Sequence, residues 1–192
     1  MRRGIEMGLN PVKASGSVPV MGLDDWAEAP PLLSERLTLE PLRVEHADEM
    51  APLLDDPALH TFIGGKPATL QELRSRYAEQ IEGQPPGGSQ RWLNWIVRRR
   101  DDGQAVGFVQ ATISEQNGEL TADVTWAVAV SQQRSGYARE AAQLMANWLR
   151  QQHIQLVVAH VHPKHHASNA VAHSIGLAPS DIQLDGEVRW QG

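Results

Sequence analysis

The chain has 192 residues, enough for one domain with a real hydrophobic core and no covalent staples. Its 23 Asp and Glu outweigh 17 Lys and Arg, a formal charge of −6 that argues against nucleic acid or an anionic membrane as main partner and suits an amine-bearing one. It has no cysteine, which excludes disulfides, thiolate metal sites and cysteine nucleophiles.

Arg2 and Arg3 have no apolar run behind them, and no segment reaches bilayer-spanning length, so a cytoplasmic protein is expected. Residues 1–30 mix Gly, Pro and Ser without helical or strand periodicity, and read as an irregular extension that Trp26 is large enough to anchor. Residues 31–192 are expected to form the domain.

Alternation of Leu37 and Leu39 with Thr38 and Glu40 predicts a first strand over residues 36–43, limited by Pro41. Helical spacing of Ala47, Met50, Ala51 and Leu54 predicts a helix over 45–55, kinked or shortened by Pro52. Thr69 and Glu72 have capping-box spacing, and Leu70, Leu73, Tyr77 and Ile81 continue it as one apolar stripe. After the Pro- and Gly-rich loop at 84–89, three strands are predicted over 91–100, 104–114 and 120–130. The turn signals Asp101-Asp102-Gly103 and Gln116-Asn117-Gly118 make them an antiparallel meander.

The stretch Gln133-Arg134-Ser135-Gly136-Tyr137-Ala138 then opens a helix running to residue 152. Its apolar side is Ala141, Met145 and Trp148, flanked by Ala142, Leu144 and Leu149. A glycine lets the loop backbone approach a ligand, and the first N–H groups of a helix are unpaired, so the pattern suits phosphate. It also suits an ordinary strand-to-helix turn. A short strand at 155–161, a short helix at 167–174 ended by Gly176, and a hairpin around Asp185-Gly186 complete the order βααβββαβαββ.

The Gln-x-x-Gly-x-Ala loop resembles the acetyl-CoA pyrophosphate loop of the GNAT (Gcn5-related) N-acetyltransferases, and the element order is similar to theirs over about residues 32–192. The nearest resemblance is to the RimJ/RimL-type ribosomal-protein N-terminal acetyltransferases. It rests on Ser34-Glu35-Arg36-Leu37-Thr38-Leu39, on Ala105-Val106-Gly107-Phe108-Val109, and on the segment from His162 to Val171 with Gly176-Leu177. His165 stands where those sequences usually have Asn, and Leu177 where they have Phe.

The resemblance implies an α/β (α+β) GNAT fold, a mixed, mostly antiparallel sheet of about seven strands with the fourth and fifth splayed. It implies acetyl-CoA as cosubstrate, no metal, and direct acetyl transfer to a primary amine, either a protein N-terminus or a small molecule. The enzyme would be a monomer or homodimer with no nucleic-acid or membrane partner. The backbone of Arg134, Ser135, Gly136, Tyr137 and Ala138 would cradle the pyrophosphate, with side-chain help from Gln133 and Arg134. Val128, Ala129 and Val130 would pair with the pantetheine arm and polarise the thioester, and His165 and Ser168 would lie against the cofactor.

Asp123 is the carboxylate expected to take the amine proton, directly or through water; an Asp read as lying at a strand start also suits solvent or a turn. Ser168 is expected to protonate or orient the leaving thiolate, and also suits the N-cap of the short helix. The tyrosine acid of some relatives is missing, Ala172 falling in its place. The density of His160, His162, His165 and His166 also raises zinc or nickel binding, against crowding around the cofactor or simple exposure. Trp92, Trp95 and Trp126 suit core or cleft walls, and Arg98-Arg99-Arg100 a solvated run. A GNAT-like module that binds acyl-CoA without catalysis is the alternative reading.

Overall fold

The computed structural model describes residues 29–63, 65–84, 88–116 and 118–192. Most of the N-terminal extension, Trp26 included, lies outside the described residues, as does Asn117. One mixed sheet organises the rest in the order β1-β2-β3-β4-β5-β6-β8-β7. Its strands are β1 (Leu32–Leu33), β2 (Leu37–Pro41), β3 (Gln90–Arg99), β4 (Ala105–Gln116), β5 (Glu119–Val128), β6 (Leu156–Val161), β7 (Ala178–Leu184) and β8 (Glu187–Gln191). The helices are α1 (His46–Leu54), α2 (His60–Ile63), α3 (Leu70–Ile81), α4 (Tyr137–Gln151) and α5 (His166–Ser174). The two-residue β1 brings the strands to eight, and the single-turn α2 is a further element; both are too short to leave a periodic signal.

Local chemistry accounts for the boundaries. At α3 the Thr69 N–H donates to Glu72 Oε2 at 2.8 Å and the Glu72 N–H to Thr69 Oγ1 at 3.3 Å, the reciprocal bonds of a capping box. The stripe expected there is buried only in its middle, at Leu73 and Tyr77, while Leu70 and Ile81 at the two ends of the helix are exposed. α1 ends two residues after Pro52, which cannot donate to the preceding turn. Asp185 and Gly186, at φ +50° and +85°, make the tight turn of the β7–β8 hairpin.

The two faces of the sheet are covered differently. On one, α4 lies along the strands on Ala141, Ala142, Met145, Ala146 and Leu149, against Leu37, Trp95, Val109, Ala111, Val124 and Val157. Small residues at 141, 142 and 146 let the helix backbone come close, and buried Trp95 meets Trp148 edge-on at 5.8 Å. On the other face α1 and α3 cover only the β2–β4 half, through Met50, Leu73, Tyr77 and Ile96. Beyond Gln110 that face is polar, and no helix among the described residues lines the groove there.

Within the sheet only β5 and β6 pair in parallel, over Thr121↔Leu156, Ala122↔Val157 and Asp123↔Val158. Past that point the strands separate, the splay expected between the strands flanking the phosphate-loop helix. The β4 side of β5 leaves no such freedom. A Cβ on Gly107 would overlap the Ala127 carbonyl oxygen and come within 2.9 Å of Val128 Cα, so the two backbones press together there.

Candidate active site

The splay opens a cavity of about 330 Å³. Val124 to Val128 form one wall, Ala159 to His162 the other, and Leu59 and Phe62 from the α2 region and Ala167, Ser168 and Val171 from α5 close it; Gln133, Arg134, Gly136, Tyr137 and Ala138 form its mouth. Backbone alternation fixes which groups face it. The Gln155 N–H donates to the Leu120 carbonyl, so even-numbered residues of β5 present their backbone groups to β6. Beyond the last parallel pair this turns the Val124 carbonyl and the backbone groups of Trp126 and Val128 toward the gap, past the point where β6 pairs with β5.

The loop at the mouth is shaped for an anion. Arg134 has φ +62° and Gly136 +82°, left-handed conformations that bend successive amides into a concavity just before α4 begins. The N–H groups of Arg134 to Ala138 find no acceptor among the described residues. The loop is tied down from β2. Arg36 bonds Glu140 (Nε–Oε2, 2.7 Å) and the Ser135 carbonyl (3.1 Å), and its guanidinium lies over the Tyr137 ring at 5.1 Å. The Ser34 hydroxyl donates to the same carboxylate at 2.7 Å. Burial pushes the Glu140 carboxyl up, but the bonds from Ser34 and Arg36 outweigh it and hold the group below the usual range.

Of the residues expected to hold the cofactor, the structure gathers Val128, Gln133, Arg134, Gly136, Tyr137, Ala138, His165 and Ser168 on one cavity. Ala129, Val130 and Ser135 do not line it. The Ala129 N–H donates to the Val106 carbonyl on β4, Val130 opens a 3-10 turn, and the Ser135 carbonyl is taken by Arg36. Gln133 Nε2 donates to the Val128 carbonyl at 3.1 Å, bracing the loop against the strand end. Helix α5 starts at His166, and its N-cap is His165, whose Nδ1 accepts from the Ser168 N–H at 3.4 Å. Ser168 is therefore not the cap but lies one turn in, and the imidazole does at residue 165 what an Asn side chain does at a helix start. Burial, with the nearby His162 and His166, lowers the His165 pKa, and the ring stacks on Phe62 at 4.4 Å.

Asp123 is elsewhere. It is not at a strand start but inside β5, on the last parallel pair, and it floors a separate groove of about 660 Å³ on the polar sheet face. Gln110, Thr112 and Ser114 of β4, Thr121 and Thr125 of β5, and Arg189 of β8 line this groove with it. Loss of water in the groove raises the Asp123 carboxyl above its ordinary value, while His160 and, more weakly, Arg189 pull it back. The His160 Nδ1 lies 3.2 Å from Asp123 Oδ2. His160 and Thr125 are the two residues that line both cavity and groove.

The four clustered histidines do not converge. His160 goes to Asp123, His162 accepts from the Lys164 N–H and His165 from Ser168, and among the described residues no three His, Asp or Glu side chains are placed to share a metal ion. Trp95 is core, its Nε1 donating to the Pro30 carbonyl, Trp126 is a cavity wall, and Trp92 lines a surface pocket on the far side. The arginine run is ion-paired rather than solvated in two of three positions: Arg98 to Glu40 and Glu49, and Arg99 to Asp101, while Arg100 bonds the carbonyls of Ser34 and Glu35. Sequence reasoning missed Arg36, Glu140 and Phe62 as parts of the site, and saw His160 only within the histidine cluster.

A strand splay, an amide concavity at its mouth and a polar groove on the other sheet face thus meet at Thr125 and His160. Residues 36–178 match the profile described as "Acetyltransferase (GNAT) domain", and the chain belongs to this family of N-acetyltransferases. No curated protein matches the chain in sequence. Among solved structures it is similar in fold to the RimL ribosomal L7/L12 α-N-protein acetyltransferase in complex with coenzyme A, at TM-score 0.69 and 18 % identity over 85 % of this chain and 97 % of that one. An acetyltransferase from Agrobacterium tumefaciens str. C58 gives 0.65 and 22 % identity over 87 % and 96 %. An enzyme from Salmonella typhimurium whose description is that it modifies the N-terminal serine of 50S ribosomal subunit protein L7/L12 gives 0.65 and 17 % over 83 % and 95 %.

Proposed function

We propose that the protein transfers an acetyl group from acetyl-CoA directly to a primary amine. The observation that carries this is the wedge past Asp123 and Val158, with unpaired backbone along β5 and acceptor-free amides at its mouth. A pantetheine arm has the amide spacing to pair with the Val124 carbonyl, with Trp126 and with the Val128 N–H as a strand would, and a pyrophosphate the charge to fit the loop. Acetyl-CoA supplies the activated acetyl group.

The chain's part is to hold and to move protons. Arg134 to Ala138 bind the pyrophosphate through backbone N–H groups, helped by the start of α4 and the side chains of Gln133 and Arg134. The amide end of β5 around Val128 polarises the thioester carbonyl, and Ala129 and Val130 contribute through the backbone bend that ends the strand. Ser135 contributes by the carbonyl that fixes Arg36, and His165 by packing beside Ser168. Ser168 returns a proton to the departing sulfur. The acceptor enters by the polar groove, and its proton moves toward Asp123, directly, through water, or through the side chain that bonds it. A peptide with a free N-terminal serine is the first acceptor to try, in view of the RimL-type neighbours, with small primary amines beside it. A cytoplasmic monomer or homodimer goes with this reading; no helix among the described residues is long and apolar enough to cross a membrane.

Calorimetry with acetyl-CoA and a thiol-release assay over such peptides and amines test it. Binding with thiol release is the expected result. Binding without release over the whole panel would leave a non-catalytic acyl-CoA module, and no binding would remove both readings.

A further inference from the structure

Resting on that reading, we infer that His160 is the group that takes the proton from the acceptor amine, at Nε2, and that Asp123 is a positioning residue acting through it. A base must come within hydrogen-bond reach of the nitrogen that attacks the thioester, roughly 2.6–3.2 Å or one water away. The thioester belongs in the cavity between β5 and β6. Asp123 does not line that cavity and His160 does, while both line the groove by which the amine arrives.

The register builds this arrangement. Asp123 sits opposite Val158 on the last parallel pair, and His160 lies two residues further along β6 on the same sheet face, just where the strands begin to part. With its Nδ1 at 3.2 Å from Asp123 Oδ2, the ring donates its proton there, and the lone pair is left on Nε2 at the opposite edge. Among the described residues Nε2 has no protein partner.

The other charged or titratable groups around the ring are Arg189, its pair across β8, Glu187 on the cavity wall, His162 and His165 beyond the strand end, and Arg134 and Arg139 at the mouth. Among the described residues Asp123 is the one within ion-pair distance of His160, at 3.2 Å. The base is thus an imidazole held in one tautomer by a carboxylate.

The neutral amine nitrogen bonds to the acetyl carbon, the carbon–sulfur bond breaks with its electron pair on sulfur, and the proton lost by nitrogen goes to His160 Nε2. The thiolate takes a proton from the Ser168 side or from solvent, and His160 releases its own to the groove water. The products are the N-acetylated amine and the free thiol.

The tests are His160→Gln, His160→Ala and Asp123→Asn, assayed with a peptide bearing a free N-terminal serine or, if it is not acetylated, the best primary amine of the panel. His160→Gln should lower kcat/KM about 10²- to 10⁴-fold, the usual contribution of a general base, with acetyl-CoA affinity by calorimetry unchanged. The acid limb of the wild-type kcat/KM–pH profile should become shallower in it, keeping only the ionisation of the acceptor amine, and added imidazole should restore part of the His160→Ala rate. Asp123→Asn should act through the ring. In a long-range ¹H–¹⁵N spectrum of labelled histidine, wild-type His160 should be the Nδ1–H tautomer, and in Asp123→Asn that tautomer should lose its dominance. Wild-type kcat/KM in a folded His160→Gln protein, or an Nε2–H tautomer in the wild type, would overturn the assignment. Either result leaves acetyl-CoA binding in place, and so is distinct from failure of the acetyltransferase reading, which loss of that binding in the wild type would mark. The spectrum needs no acceptor and decides the case even if none is found.

Discussion

The cleft between β5 and β6 and the groove on the sheet face meet at His160, yet they are made of opposite materials. The cleft is apolar-walled and offers mainly backbone: a separated strand edge, a run of amides at φ values of +62° and +82°, a helix start. The groove is floored by side chains, Gln110, Thr112, Ser114, Thr121, Asp123 and Arg189, at positions paired with a neighbouring strand. A backbone site accepts one shape of ligand over wide sequence change, because every residue carries the same N–H and C=O. A side-chain site changes its ligand with each substitution. The difference suits a cleft for an invariant cosubstrate and a groove for a variable acceptor.

The sharpest way to break both together is at Gly107, beneath the strand end that they share. Gly107→Val would drive a branched side chain into the Ala127 carbonyl and Val128, displacing β5 where it walls the cleft. Overpacking of this kind costs typically 1–3 kcal/mol, and here the neighbour is backbone, so a loss of about 3 kcal/mol by urea denaturation is expected, with acetyl-CoA binding abolished. A stable Gly107→Val protein with normal binding would show that the β4–β5 contact does not set the splay.

Gly136→Val separates the two regions. The ideal Cβ there comes to 3.4 Å from Arg36 Nη2, and the backbone is held at φ +82°, a conformation that a β-branched residue tolerates poorly. A strain of roughly 1–2 kcal/mol, relieved by leaving the left-handed region, should misdirect the amides and weaken acetyl-CoA about tenfold. The groove should be untouched, with the His160 tautomer signal unchanged. Full affinity in the variant would remove the loop from the binding site.

The contrast also explains what could be read from the residues alone. The loop from Gln133 to Ala138 is contiguous, and its chemistry is that of a glycine before a helix, so composition and order suffice. The capping box at Thr69 and the turn at Asp185-Gly186 are legible for the same reason. The Asp123–His160 contact joins two strands through a parallel register, and period-two alternation gives the face of each residue but not its neighbour on the next strand. The anchor from Arg36 to Glu140 spans the fold likewise. The N-cap that Ser168 also suits is taken by His165, an uncommon cap that residue type alone does not flag.

The smallest effect concerns that cap, and it separates the cleft from the rest of the fold by pH. The folded state keeps His165 neutral, since its Nδ1 accepts the Ser168 N–H and burial lowers its pKa. Unfolded, the same ring takes a proton near pH 6.5, so the unfolded state binds more protons below that value, and stability falls as pH drops until the lowered folded pKa is passed. Buried His46 has the same sign: burial lowers its pKa, with Glu40 opposing, and its Nδ1 accepts from the Arg43 N–H. Wild-type urea midpoints should therefore decline from pH 7.5 to 5.5, before the carboxylates titrate. Asn at 165 has an oxygen able to accept the Ser168 N–H but nothing to protonate in that window. His165→Asn should therefore match the wild type at pH 7.5 and decline less by 5.5, leaving the His46 share. A wild-type slope that His165→Asn leaves whole would assign all of it to His46, and the imidazole at the cleft would then be free to protonate without cost to the fold.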